Sequence, residues 1–234
     1  MKILAFETSA KAASVALWDD GVMLAEYFQN SGQTHSRTVM KMAQDMLENC
    51  DLTPADLDAV ACAVGPGSFT GIRIGVAAAK GFCWGAELPL CGVSTLEGMA
   101  YGAGIRDGIV CCAMDARRNQ VYNALFLAED GKLTRLCEDR AISLADLQTE
   151  LDHCDGPVWL MGDGAKLCAE QLTGEQLYLM PEHLRQQRAG GTALAAAEQI
   201  RAGQAQDAAY VVPNYLRLPQ AERERMARLA KEQN

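Results

Sequence analysis

The chain has 234 residues and a mass of 25.2 kDa, enough for one large domain or two small ones. Hydrophobic residues make up 49% of it, yet no apolar run approaches the roughly 20 residues that a membrane span needs, and the opening run is too short for a signal sequence. We therefore expect a cytoplasmic protein with no membrane contact. The net charge of -9 disfavours a nucleic-acid-binding surface, which needs a basic stripe, so we expect any contact with nucleic acid to be indirect.

The nine cysteines are predicted to be free thiols rather than a disulfide framework. None belongs to a C-x-x-C pair, and five lie inside apolar runs: Cys62, Cys83, Cys91, Cys111 and Cys112. A buried free cysteine behaves as a small hydrophobic residue, which fits a reducing compartment. A metal cluster or a redox pair is the less favoured alternative.

The first half of the chain begins with three predicted antiparallel strands, at residues 2–7, 13–18 and 22–28. The sequence Asp19-Asp20-Gly21 between the last two is a hairpin turn signal. Apolar residues at helical spacing follow over residues 36–48, and residues 53–56 predict a short helical turn. Next come a buried strand, a helix closed by Gly85, a strand and a helix, at about residues 59–64, 70–84, 89–93 and 95–102.

The second half repeats this order of elements. Three strands are followed by a helix that Ser143 caps, then by a strand, a helix, a strand and a helix, at about residues 109–114, 121–127, 133–137, 144–151, 157–161, 164–172, 176–180 and 191–201. This order, given twice, is the layout of a duplicated ribonuclease-H-like fold of the actin/Hsp70 type (ASKHA), an α/β fold with two lobes. We predict a first lobe over residues 1–105, a second over 106–207, a segment 208–217 packing back on the first lobe, and a polar C-terminal helix or tail over 218–234.

The most specific segment of the chain is the glycine-rich loop Gly65-Pro66-Gly67-Ser68 with the start of the helix after it. Small residues there let backbone N–H groups approach an anion at a helix N-terminus. With the end of the first strand they form a candidate, vestigial phosphate site: Glu7, Thr8, Gly65, Gly67 and Ser68. The alternative, weighted equally, is a tight turn whose glycines serve close packing alone.

Two further features bear on chemistry in the predicted cleft between the lobes. In ATPases and kinases of this fold an Asp followed by Gly ends the first strand and handles Mg²⁺, whereas Glu7-Thr8 stands here, which argues against full ATPase chemistry. Asp115 and Arg117 end a strand at the cleft, where they could hold a carboxylate or phosphate or simply form an ion pair. The three histidines, His35, His153 and His183, are predicted to be surface or capping residues.

Five motifs, in order and spacing, resemble those of the TsaB (YeaZ) family: Glu7-Thr8-Ser9, Gly65–Gly75, Gly92–Leu96, Asp115–Arg118 and Tyr215-Leu216-Arg217. The resemblance covers essentially the whole chain. It implies a role in making N6-threonylcarbamoyladenosine beside the tRNA anticodon, from threonylcarbamoyl-AMP. It also implies a heterodimer with the catalytic relative TsaD, joined by the ATP-using TsaE, a homodimer when alone, and only indirect contact with tRNA.

The helix after the fifth strand distinguishes a catalytic protein of this kind from a non-catalytic partner subunit. TsaD-like proteins carry a His-x-Glu-x-His metal motif there, and the matching residues here are Thr95, Glu97 and Met99. Because a thioether and a hydroxyl are poor ligands for such a metal, we expect a non-catalytic subunit without a cofactor of its own. The alternatives are an ATPase or kinase, a metallopeptidase-like enzyme, and a direct tRNA-binding module.

The predicted partner interface lies on the first two long helices of the first lobe. Their apolar and small residues cover a wider arc than one sheet face needs, and the resemblance implies that both TsaD and a second copy bind there. The predicted contact residues are Val39, Met40, Met42, Ala43 and Met46 on the first helix, and Gly71, Ile72, Gly75, Val76 and Ala79 on the second. The alternative is close packing within the lobe itself.

Overall fold

The computed structural model describes residues 1–104 and 106–217, which form eleven strands, seven α-helices and two short 3-10 helices, at Pro54–Asp56 and Ala208–Tyr210. The first half holds β1 (Lys2–Glu7), β2 (Ala13–Asp19), β3 (Val22–Gln29), α1 (His35–Asn49), β4 (Ala59–Gly65), α2 (Phe69–Ala86), β5 (Leu90–Ser94) and α3 (Thr95–Gly102). The second half holds β6 (Gly108–Asp115), β7 (Gln120–Glu129), β8 (Lys132–Arg135), β9 (Arg140–Ser143), α4 (Leu144–Leu151), β10 (Val158–Met161), α5 (Ala165–Gln171), β11 (Leu177–Leu179), α6 (Glu182–Arg185) and α7 (Ala189–Arg201). Residues 218–234, predicted as a polar helix or tail, lie outside the described residues.

The first sheet has the strand order β3-β2-β1-β4-β5, with β1 antiparallel to β2 and parallel to β4. Both faces of β1 are buried, and its side chains alternate between two cores as the period of a strand requires. Leu4 and Phe6 face α1 and α2, whereas Ile3 and Ala5 face the alanine-rich α7. This explains why β1 and β4 are continuous apolar runs rather than alternating ones.

The second sheet repeats this topology. Its order is β11-β10-β6-β7-β8, so β6 takes the central place that β1 has in the first sheet. The prediction of a duplicated ribonuclease-H-like fold is thereby confirmed. The short β9 also pairs with β7 and was not predicted, nor was the four-residue α6. The prediction that Gly85 closes α2 was wrong, because the helix continues to Ala86 and Glu87 takes the left-handed conformation that ends it (φ 55°).

The last helix of each half crosses to the other half. α7 packs on β1 and β2, α3 packs on β6 and β7, and the two helices contact each other. Their backbones meet so closely that a Cβ on Gly191 would lie 2.0 Å from the carbonyl oxygen of Gly98. The carboxylate of Glu26 on β3 also accepts the N–H of Gly190, at 2.9 Å, which fixes the start of α7. The lobes are therefore interlocked.

The segment 208–217, here called the returning segment, runs over the first lobe and ends against the second. Val211 is buried in the core under α2, and the N–H of Asn214 donates to the carbonyl oxygen of Val64 at 2.7 Å. At its end Arg217 donates to the carbonyl oxygen of Ala116 at 2.9 Å. The returning segment thus joins both lobes beside the cleft. None of the helices in the described part of the chain is long and apolar enough to cross a membrane.

Candidate functional site

A cleft of about 560 Å³ opens between the two lobes. Each lobe contributes a strand end and the turn that follows it, because the carboxyl ends of β1 and β6 meet at this edge of their sheets. The first lobe supplies Ser9–Lys11 and the loop Pro66–Phe69, the second supplies Met114–Arg117 with Asp163, and the returning segment supplies Asn214–Arg217. The fold therefore brings the predicted phosphate loop and the predicted Asp115–Arg117 pair into one cavity.

The glycine-rich loop packs closely against the backbone of the first strand's end and of the returning segment. A Cβ on Gly65 would lie 2.4 Å from the carbonyl oxygen of Asn214, and one on Gly67 would lie 2.4 Å from that of Ser9. Both glycines have positive φ, at 122° and 154°. The N–H of Ser68 donates to the Ser9 carbonyl oxygen at 2.6 Å, and its hydroxyl caps α2 by accepting the N–H of Gly71 at 3.2 Å. These contacts favour the close-packing interpretation of the loop over a phosphate site.

The end of β1 is equally enclosed. The Thr8 hydroxyl donates to the carbonyl oxygen of Gly71 at 2.8 Å and so ties β1 to α2. Glu7 is 2% exposed, and its carboxylate accepts the N–H of Ser9 at 2.6 Å. Burial raises the pKa of Glu7 to about 7, and the nearby charge of Asp163 acts in the same direction. Glu7 is thus a carboxyl group that burial holds partly protonated near neutral pH.

The raised pKa of Glu7 predicts a pH-dependent stability. In the unfolded chain Glu7 loses its proton near its ordinary pKa of 4.5, whereas the folded protein holds that proton until about pH 7. The folded state therefore binds more protons between these values, and its stability falls as the pH rises through this window. We expect Glu7→Gln to stabilise the protein by about 3 kcal/mol more at pH 8 than at pH 4, in urea unfolding. An equal effect at both pH values would contradict the assignment.

Asp115 and Arg117 contact each other at the mouth of the cleft. The Asp115 carboxylate accepts the backbone N–H of Arg117 at 2.7 Å and pairs with its guanidinium at 3.3 Å, while the Arg117 side chain is 86% exposed. Arg117, Arg118 and Asn119 all have left-handed φ values of 56–66°, which is costly for three consecutive residues that are not glycine. The ion-pair interpretation fits this geometry, and the turn displays both arginines outward.

The residues that match the TsaD metal motif belong to the interior. Thr95 and Met99 are buried, and Glu97 pairs with Arg135 at 3.2 Å and accepts from Gln199 at 3.1 Å. Within the described residues no group of three or more His, Cys, Asp or Glu side chains is arranged to hold a metal ion. The histidines are scattered: His35 bonds the Ala10 carbonyl oxygen, His153 bonds that of Thr149, and His183 is exposed on α6.

Most of the predicted interface residues were assigned wrongly. Eight of the ten are buried within the first lobe and cannot contact a partner: Val39, Ala43, Met46, Gly71, Ile72, Gly75, Val76 and Ala79. The physical reason is that α1 and α2 pack on each other as well as on the sheet, which widens the arc that each must bury. Met40, which is 43% exposed, and the half-buried Met42 remain on the surface.

Sequence reasoning missed the outer face of α2. Ala77, Gly81 and Gly85 are exposed there at intervals of one helical turn, beside Trp84, whose relative exposure is 88%. The four-residue spacing of small residues was the available signal. Trp84 borders an apolar groove of about 900 Å³ between the end of α2 and residues 207–209. A large exposed aromatic residue beside an apolar groove is typical of a protein interface.

Comparison with known proteins places the chain among tRNA-modification proteins. Residues 24–225 match the family model described as TsaD, tRNA N6-adenosine threonylcarbamoyltransferase. The chain is 34% identical to the tRNA threonylcarbamoyladenosine biosynthesis protein TsaB of Bacillus subtilis, over 95% of this chain and 96% of that protein. It is 41% identical to the protein of the same name from Escherichia coli, over 65% of each chain.

The fold has a solved counterpart. A crystal structure from Pseudomonas aeruginosa, described as an uncharacterized protein with similarity to peptidase YeaZ, superimposes with a TM-score of 0.81. It is 25% identical in sequence, and the match covers 92% of this chain and 99% of that one. A second structure from the same organism, described as YeaZ, has a TM-score of 0.78 at 24% identity, over 92% of this chain and 99% of that one.

Proposed function

The chain belongs to the TsaB (YeaZ) family, and from this membership we propose that it is an accessory subunit in the synthesis of threonylcarbamoyladenosine in tRNA. The Bacillus subtilis and Escherichia coli relatives that carry this description match 95% and 65% of its length. In the proposed role it binds a TsaD-type transferase and activates it. The transferase moves the threonylcarbamoyl group from threonylcarbamoyl-AMP to N6 of the adenosine beside the anticodon.

The main support for the non-catalytic role is the identity of the residues on α3. Where the transferase motif has two imidazoles, this chain has the buried Thr95 and Met99. The intervening Glu97 forms an ion pair with Arg135. In the glycine-rich loop the N–H groups of Ser68 and Gly71 already have protein partners. Both features support a subunit that needs no metal or nucleotide of its own. ATP is used in this proposal by a TsaE-type partner that joins the pair.

The proposed contact surface for the transferase is the outer face of α1 and α2. Ala77, Gly81 and Gly85 are exposed and small on this face, and the distance between packed helices shortens when the side chains at the contact are small. Met40, which is 43% exposed on α1, is proposed to belong to the same surface. In the absence of the transferase a second copy of this chain is proposed to cover this face, giving a homodimer.

The second candidate function is an enzyme of the same fold. The description of the Pseudomonas structure mentions a peptidase, and the cleft lies where ATPases and kinases of this fold bind nucleotide. Elemental analysis of protein made without a histidine tag tests whether the chain is a metallopeptidase-like enzyme. About one iron or zinc per chain, lost on replacing Glu97, would support the enzyme.

Size-exclusion chromatography with light scattering tests the accessory role directly. We expect the chain to elute as a dimer when alone, and to form a one-to-one complex when mixed with a TsaD-type transferase at micromolar concentration. Separate elution of the two proteins would contradict the proposal. Retention of the dimer in the mixture would also count against it, because both partners are proposed to use one surface.

A further inference from the structure

The mouth of the interlobe cleft concentrates positive charge on an otherwise acidic protein. Lys11 from the turn after β1, Arg117 from the turn after β6 and Arg217 from the returning segment all line it. Arg118 is exposed beside Arg117, and Arg73 contacts the cleft residues Phe69 and Tyr215. These five cations come from four separate places in the sequence, so only the fold brings them together.

The acidic groups nearby are fewer than the cations of this cluster. Asp115 and Asp163 are the carboxyl groups among the described residues that line the cleft, and Asp115 is paired with Arg117. Asp163 is mostly buried, and removal from water raises the pKa of its carboxyl group. Glu7 lies beneath the floor, where burial raises its pKa to about 7. Lys11 and Arg118 make no ion pair within the described residues.

Aromatic side chains alternate with these cations. The rings of Phe69 and Tyr215 lie 4.7 Å apart, and the Arg73 guanidinium stacks 3.8 Å from the Phe69 ring centre. Across the cleft Arg217 lies 5.7 Å from the ring centre of Tyr122. Tyr215 is 37% exposed, and Phe69 and Tyr122 are half-buried, so each presents part of its surface at the mouth.

Cations that track a phosphate backbone, interleaved with aromatic faces on which bases stack, are the features of single-stranded nucleic-acid sites. We propose that the mouth of this cleft binds an unpaired stretch of RNA, with Lys11 and Arg118 at phosphates and the aromatic side chains against bases. The inference rests on the proposed function, in which the RNA is the tRNA whose anticodon loop is modified. It replaces the expectation of indirect contact, because net charge averages over a surface and hides a local cluster.

The test measures RNA binding as a function of salt. The probes are an RNA hairpin with an unpaired loop and a fully paired duplex with the same number of phosphates. Each is titrated with the chain, alone and in complex with the transferase, over a range of salt concentrations. Wild-type protein should bind the hairpin several times more tightly than the duplex, because only unpaired bases can stack on Phe69, Tyr122 and Tyr215.

The decisive variant is the double substitution Lys11→Gln, Arg118→Gln. Each cation on a single strand contributes about 0.7 to the slope of log affinity against log salt, so the slope should fall by about 1.4. At about 0.1 M salt this corresponds to roughly twenty- to thirtyfold weaker binding. The matched control is Lys132→Gln, Lys166→Gln, which removes the same charge from exposed sites on β8 and α5 and should leave the slope unchanged.

Three results would overturn the proposal. The first is a double variant whose slope equals that of the wild type. The second is equal binding of hairpin and duplex with displacement by inorganic pyrophosphate, which would mark a site for small phosphates. The third is loss of co-elution with the transferase in the double variant, which would make the cleft mouth a protein interface. Retained co-elution with a reduced slope supports the RNA site, whereas a wild-type chain that never binds the transferase refutes the proposed function instead.

Discussion

Replacing Gly71 with alanine should lower the free energy of unfolding by about 3 kcal/mol and the melting temperature by roughly 6–12 °C. A Cβ at this position would lie 2.1 Å from the carbonyl oxygen of Thr8, where no real contact of this kind exists. The obstructing atom belongs to the backbone at the end of β1, so it cannot rotate away as a side chain would. The helix must move off the sheet, which also strains the bond from the Thr8 hydroxyl to the Gly71 carbonyl oxygen.

Gly81→Ala in the same helix is the matched control. Nothing lies within 4 Å of the position that its Cβ would take, so the substitution adds helix propensity without a clash. We expect it to stabilise the protein by about 0.5–1 kcal/mol, measured at concentrations low enough to keep the chain monomeric. Equal melting temperatures for the two variants would contradict the described packing of α2 on β1.

Met40→Arg should abolish the complex with the transferase while leaving the fold intact. Met40 is 43% exposed, so the isolated chain accommodates arginine in water, whereas a partner helix would bury the charge without a counter-ion. Burying an uncompensated charge costs several kcal/mol, which weakens binding by about a hundredfold or more. The self-dimer should be lost with the complex, because both are proposed to use this surface.

Leu136→Arg controls for the change in charge and hydrophobicity. Leu136 is 50% exposed in the second lobe, so it resembles Met40 in exposure but lies away from α1 and α2. Both variants should melt like the wild type, and only Met40→Arg should fail to co-elute with the transferase. A Met40→Arg protein that melts normally and still co-elutes would place the interface elsewhere.

The order of elements could be predicted from the sequence because strands and long helices leave strong periodic signals. β1 has the predicted bounds, and α1 and α2 were located within one or two residues. The missed elements, β9 and α6, have four residues each, and neither has the continuous apolar run that made the equally short β10 predictable. The left-handed residue that ends α2 is Glu87, and a charged residue in that role carries no signal of the kind that glycine gives.

The interface residues could not be predicted for a different reason. The arc of apolar residues on α1 and α2 was correctly identified as wide. However, its width reflects every surface that the helix buries, whether against the sheet, a neighbouring helix or a partner. Gly71 and Gly75 are small because Thr8 lies against them, and Val39 and Met46 fill the lobe's own core. A period alone does not separate these causes, whereas the exposure of Ala77, Gly81 and Gly85 does.

The function of the glycine-rich loop could not be predicted from the sequence for a similar reason. From the sequence a phosphate site and a tight turn were equally supported, because both require small residues before a helix. The difference depends on Ser9 and Asn214, which lie far from the loop in sequence and occupy the space beside Gly67 and Gly65. The positions of such distant partners are fixed only by the tertiary fold.

Reconstitution of the modification tests the accessory role most directly. Purified tRNA and threonylcarbamoyl-AMP are incubated with the chain, a TsaD-type transferase and a TsaE-type ATPase in every combination, and threonylcarbamoyladenosine is quantified by mass spectrometry. We predict no product from the chain alone, little from the other two proteins without it, and full modification from all three with ATP. Modification of tRNA by the isolated chain, or full modification in its absence, would contradict the account.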